Sequence, residues 1–145
     1  MNFSNKIIFF IILIITNFYG DLEINNFKHN FNSKFAYIFL FIHSIISTYF
    51  IFGSFIFGYY KLHLLFILLI SIQLYFRDFN CLLTDKTNEV FNGNKNLDFY
   101  SNHKQILYFI FNLNIKTIHK YSKIIGLITL LILLIFDIFM IFKKL

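Results

Sequence analysis

The chain has 145 residues, room for one domain, and combines 58% hydrophobic residues with only 14% charged ones at a mean hydropathy of +0.68. So little polar surface excludes a water-soluble fold and leaves lipid as the solvent for most of the exterior. The formal net charge of +6 sits on lysines scattered between apolar runs, which points to topology and anionic lipid rather than nucleic acid, and the lone Cys81 excludes an internal disulfide.

The first element is Met1 to Gly20, with Lys6 ahead of an apolar core from Ile7 to Ile15 and then Asn17, Tyr19 and Gly20. The core is short for a span and matches the apolar region of a signal peptide, with Gly20 at a position suited to cleavage. Phe18 stands where a small residue is expected, so two readings are carried: a cleaved signal peptide over 1–20, or a signal anchor. A polar, Asn-rich connector over 21–34 follows.

Residues 35–76 read as a transmembrane helical hairpin. Its first arm, Phe35 to about Phe52, places Ala36, His43, Ser47 and Ser54 on one side, flanked by Ser44 and Thr48, and such a face lets helices approach closely in lipid. Gly53, Ser54, Gly58 and Lys61 mark the reversal, and Leu62 to Phe76 returns as the antiparallel arm. Tyr19, Tyr59, Tyr60, Tyr75 and Tyr121 lie near span ends, where an amphipathic ring suits the headgroup zone.

From 77 to 103 the chain is a polar loop with Asn92-Gly93-Asn94 as its turn. Over 104–123, Asn112, Lys116, Lys120 and Lys123 recur at helical spacing against an apolar face, the pattern of a basic amphipathic helix lying in the interface. Its lysines Lys116, Lys120 and Lys123 would meet anionic lipid headgroups; the alternative is a basic extension of the last helix. That last helix occupies 124–145: an apolar run from Ile124 to Phe142, long enough to cross a bilayer, closed by Lys143 and Lys144. With four spans, Lys6, Lys61, Lys143 and Lys144 fall on one side of the bilayer and the remaining basic residues on the other, so charge counting puts the long loop in the cytosol. A signal-like N-terminus argues for the opposite orientation.

Asp137 is the first candidate for chemistry, because a carboxylate inside a span must face protein or water. It lies about two turns from the Lys143 end, at the depth where an antiparallel neighbour carries Lys61 and His63, so it is expected to pair with one of them. The other reading is an Asp that snorkels to the interface. His43 is expected to bond Ser47 or another helix; no two histidines have metal-ligand spacing on a helix, and neither metal nor cofactor is expected. Juxtamembrane Cys81 and Thr84 belong to a segment, Asn80 to Asp85, expected to pack against the bundle end. Nothing in the sequence brings a base and an orienting group to Cys81, which reads as a buried or lipid-edge thiol.

Lys61-Leu62-His63 opening a span and Asn80-Cys81-x-Leu83-Thr84 at its exit resemble small bacterial membrane proteins of unknown function and uncharacterised small multi-pass membrane proteins of large DNA viruses. The likeness covers about Phe35 to Glu89, with Leu82, Lys61 and Thr87 where Pro, Arg and an acid are usual. It implies architecture, not activity. The expected fold is an all-α integral membrane helical bundle of three spans plus the N-terminal signal or fourth span, with the lipid bilayer as its partner. The expected role is structural or accessory, in a cellular or viral membrane; the alternatives are a membrane enzyme acting on a lipid or thiol substrate and a pore-forming oligomer, which would bring further copies of the chain together.

Overall fold

A computed structural model describes residues 2–24, 34–76, 89 and 115–144. These contain four helices and no strand: α1 (Phe3–Ile24), α2 (Lys34–Phe57), α3 (Tyr60–Phe76) and α4 (Ile115–Lys143). Asn2 caps α1, its side-chain Oδ1 accepting from the Asn5 N–H at 2.9 Å, so one orphan amide of the first turn is satisfied.

Successive helices pack antiparallel. Phe10 meets Phe57 while Asp21 meets His43, which fixes α1 against α2. Lys144 lies over the Tyr60 ring while His63 meets Asp137, which fixes α3 against α4. The start of α1, the turn between α2 and α3 and the end of α4 therefore share one end of the bundle. Phe50, Ile67, Leu74 and Leu133 form the apolar centre, with Ile46, Phe66, Ile70 and Leu130 packed on it. Outside, Ile8, Ile12, Leu65, Leu69, Leu131, Ile135 and Phe139 are exposed, an apolar belt of the kind that hydrocarbon solvates and water does not.

Among the described residues, three helices are long and apolar enough to cross a membrane: Phe3–Glu23, Tyr37–Phe57 and Ile124–Lys143. The N-terminal segment is among them, extending past its Ile7 to Ile15 core because Asn17, Asp21 and Leu22 are buried against protein. α3 has 17 residues and so rises only about 25 Å, short of the ~30 Å hydrocarbon core.

Three boundaries differ from the sequence expectation. The connector expected from residue 21 begins later, since Asp21 to Ile24 complete α1. The reversal is confined to Gly58 and Tyr59, because the apolar run Phe55 to Phe57 prolongs α2 through Gly53 and Ser54. Gly58 takes φ +72° and donates its N–H to the Ser54 carbonyl at 2.9 Å, a left-handed helix terminus that any side chain would strain. Finally, Ile115 to Lys123 is continuous with the last span instead of a separate interfacial helix, making α4 a 29-residue rod about 43 Å long. The Asn-rich connector beyond Ile24, the 77–103 loop with its Asn92-Gly93-Asn94 turn, and 104–114 lie outside the described residues.

Candidate functional site

α3 opens with Tyr60-Lys61-Leu62-His63, and the helical rotation turns His63 inward while Lys61 and Leu62 face out. α4 carries Gly126, Leu133 and Asp137 on its buried stripe. Antiparallel packing brings the two polar side chains together, with His63 Nδ1 2.5 Å from Asp137 Oδ2 and both residues at 0% exposure. Of the two partners expected for Asp137, His63 is the one it meets; Lys61 is exposed.

The other ring nitrogen determines the chemistry. His63 Nε2 faces the backbone carbonyl oxygens of Tyr49 and Phe50 on α2, at 3.2 and 3.1 Å. A carbonyl only accepts, so Nε2 carries a hydrogen and donates it. One further proton then lies between Nδ1 and Oδ2, whichever atom holds it, and the pair is neutral as a unit. Imidazolium with carboxylate and imidazole with carboxylic acid both satisfy the contact. Adding or removing one proton leaves a net charge inside an apolar bundle. His63 thereby joins three helices: α4 through its carboxylate, α2 through its carbonyls, and its own.

Gly53 admits the ring. A Cβ there would stand 3.0 Å from His63 Cδ2 and 2.8 Å from the Tyr49 ring, closer than side chains tolerate. The missing side chain is a notch in α2 through which the imidazole reaches the carbonyls. Tyr49 lies edge-on to His63 at 5.5 Å and to Phe66 at 5.1 Å, closing the side of the notch.

A second pair lies about 10 Å along α2, seven residues before Phe50. His43 Nδ1 is 3.6 Å from Asp21 Oδ2, with both side chains 1% exposed. That is ion-pair range but too long for a hydrogen bond. Of the two uses expected for His43, a bond to Ser47 or to another helix, the ring makes no hydrogen bond to Ser47 and faces Asp21 of another helix, α1. The Ser47 hydroxyl accepts from Asn17 Nδ2 at 2.8 Å, and the same amide reaches the Ser44 carbonyl at 3.2 Å and Thr48 Oγ1 at 3.3 Å. Asn17 and Asp21, one turn apart on α1, thus meet the polar face of α2. Sequence reasoning placed both at the end of a signal or in a connector, although their spacing of four and the complementary Ser/Thr/His face were the available signal.

Asn17→Leu should weaken the α1–α2 contact by about 1 kcal/mol, in the range of interhelical hydrogen bonds in membranes. Equilibrium unfolding in bicelles checks this; an unchanged or raised stability would reduce the network to incidental contact.

Among the described residues no three His, Cys, Asp or Glu side chains converge as a metal site. Cys81 and Thr84, with His29 and His103, lie outside the described residues, as do the side chains of Lys116, His119, Lys120 and Lys123. Comparison with protein-family models, curated proteins and solved structures returned no match in any of the three, so fold and site geometry alone carry the functional reading.

Proposed function

We propose that this chain is a multi-pass integral membrane protein with a structural or accessory role, built around His63 and Asp137 as a clamp rather than a catalytic dyad. The observation that carries the reading is the engagement of both His63 nitrogens. In nucleophilic catalysis an orienting carboxylate holds one nitrogen so that the other is free to take a proton from a nucleophile. Here Nε2 is committed to the Tyr49 and Phe50 carbonyls, so the ring has no basic position to offer a substrate. A pore-forming role finds no support either: the polar face of α2 is covered by α1, and Asn17 fills the space between them. Resemblance to small multi-pass membrane proteins of large DNA viruses agrees with an accessory role and adds no activity. The extension of α4 through Lys116, Lys120 and Lys123 is suited to anionic headgroups at the membrane surface.

The test is 15N NMR of histidine-labelled protein in nanodiscs, paired with a flux assay in liposomes. A clamp predicts that the His63 Nε2 resonance lies in the protonated range, as its contacts to two carbonyls require, and that vesicles hold a proton gradient. A deprotonated, solvent-accessible Nε2 would favour the enzyme reading. Rapid dissipation of the gradient would favour the pore.

A further inference from the structure

At the end of the bundle where the α2–α3 turn meets the end of α4, an open cavity of about 530 Å³ lies between the two elements. Its walls combine two kinds of group. Leu62 and Ile141, with Tyr59 and Tyr60, form a largely apolar wall, while Lys61 and Lys144 stand at it as two exposed cations. Lys144 is held there by the Tyr60 ring, its Nζ 4.7 Å from the ring centroid.

We propose that this cavity binds one anionic phospholipid, the phosphate between Lys61 and Lys144 and the upper acyl chain along Leu62 and Ile141. Charge complementarity selects the occupant. Within the four helices the carboxylates are Asp21, Glu23 and Asp137: the first two lie at the opposite end, and the third is buried on His63. Lys6, Lys61, Lys143 and Lys144 therefore face this end without a described carboxylate to neutralise them. A soluble anion would leave the leucine, isoleucine and tyrosine surface uncovered, and an uncharged lipid would leave the ammonium groups without a counter-ion. A two-part wall fits an amphiphile. Tyr59 and Tyr60 stand where the interfacial zone favours amphipathic rings, placing the lysines at phosphate depth. This site is at the end of α4 opposite to Lys116, Lys120 and Lys123, so a lipid here would belong to the other leaflet.

Full-length protein in an uncharged maltoside detergent, titrated with dioleoylphosphatidylglycerol or dioleoylphosphatidylcholine and read by native mass spectrometry, tests the proposal. One retained phosphatidylglycerol is expected, bound about fivefold more tightly per engaged lysine than the choline lipid. Lys61→Gln and Lys144→Gln should each remove about that factor, and the double variant should erase the preference. An unchanged NMR signal of the His63–Asp137 pair confirms that the variants are folded. Lys116→Gln/Lys120→Gln/Lys123→Gln should leave the single bound lipid in place. Equal retention of the two lipids, or full preference in the Lys61→Gln/Lys144→Gln variant, overturns the proposal. Displacement of the lipid by inorganic phosphate alone would likewise reject a phospholipid site in favour of a simple anion site.

Discussion

Asp137→Ala is expected to cost about 3 kcal/mol of unfolding free energy in bicelles, whereas Asp137→Asn should cost less than about 1 kcal/mol. Alanine strands the Nδ1 atom of a fully buried imidazole opposite a void, and breaking a buried ion pair from one side falls at ~3–5 kcal/mol. Ordinary interhelical hydrogen bonds in membranes average only ~0.6 kcal/mol, but neither group here is ordinary: each can carry charge and neither reaches water. Asparagine keeps the geometry. Because Nε2 already holds a hydrogen, neutral His63 presents an Nδ1 lone pair, and the asparagine N–H takes the place of the shared proton. The double variant His63→Leu/Asp137→Leu should recover most of the alanine loss, since apolar replacement of a whole buried pair is often neutral. Losses for His63→Ala and Asp137→Ala that add within ~0.5 kcal/mol would show two independent residues and refute the clamp.

Gly53→Ala carries the second large effect, and its sign opposes helix propensity. In an ordinary helix interior, alanine in place of glycine stabilises by ~0.5–1 kcal/mol. Here the new Cβ would meet the Tyr49 ring at 2.8 Å and His63 at 3.0 Å. Overpacking costs ~1–3 kcal/mol, and Tyr49 cannot yield freely because Phe10, His63 and Phe66 surround its ring. A net loss of about 1 kcal/mol or more is expected, with His63 withdrawn from the Tyr49 and Phe50 carbonyls and its Nε2 resonance shifted. A variant as stable as the parent would mean that the notch is dispensable.

Asp137 and His63 were legible in the sequence because a carboxylate in hydrocarbon limits its own options. It needs a cationic or hydrogen-bonding partner at the same depth, and antiparallel register leaves only the start of α3. Choosing His63 over Lys61 needed the rotation of that helix, which two residues of sequence do not convey. Asn17 and Asp21 were hidden by their position. Polar residues at the end of an apolar run normally announce the membrane surface, whereas here Asn17 and Asp21 are buried against the facing Ser44, Ser47, Thr48 and His43. Gly53 misled for a related reason: beside Ser54 it looks like a turn, while its actual use is absence of volume. The long α4 resolves the choice between an interfacial helix and a basic extension, because no helix breaker stands between Ile115 and Ile124.

Each terminal helix brings one buried carboxylate, Asp21 on α1 and Asp137 on α4, and each meets its histidine on the central hairpin. During synthesis the two arrive at different times. In chain order α1 precedes α2, so Asp21 is made before its partner; α4 follows α3, so Asp137 is made after its partner. Docking of α4 thus joins an acid to a histidine that the hairpin already carries. A molecule in which α4 has not docked leaves both His63 and Asp137 without their partner in apolar surroundings, and so differs chemically from the docked one.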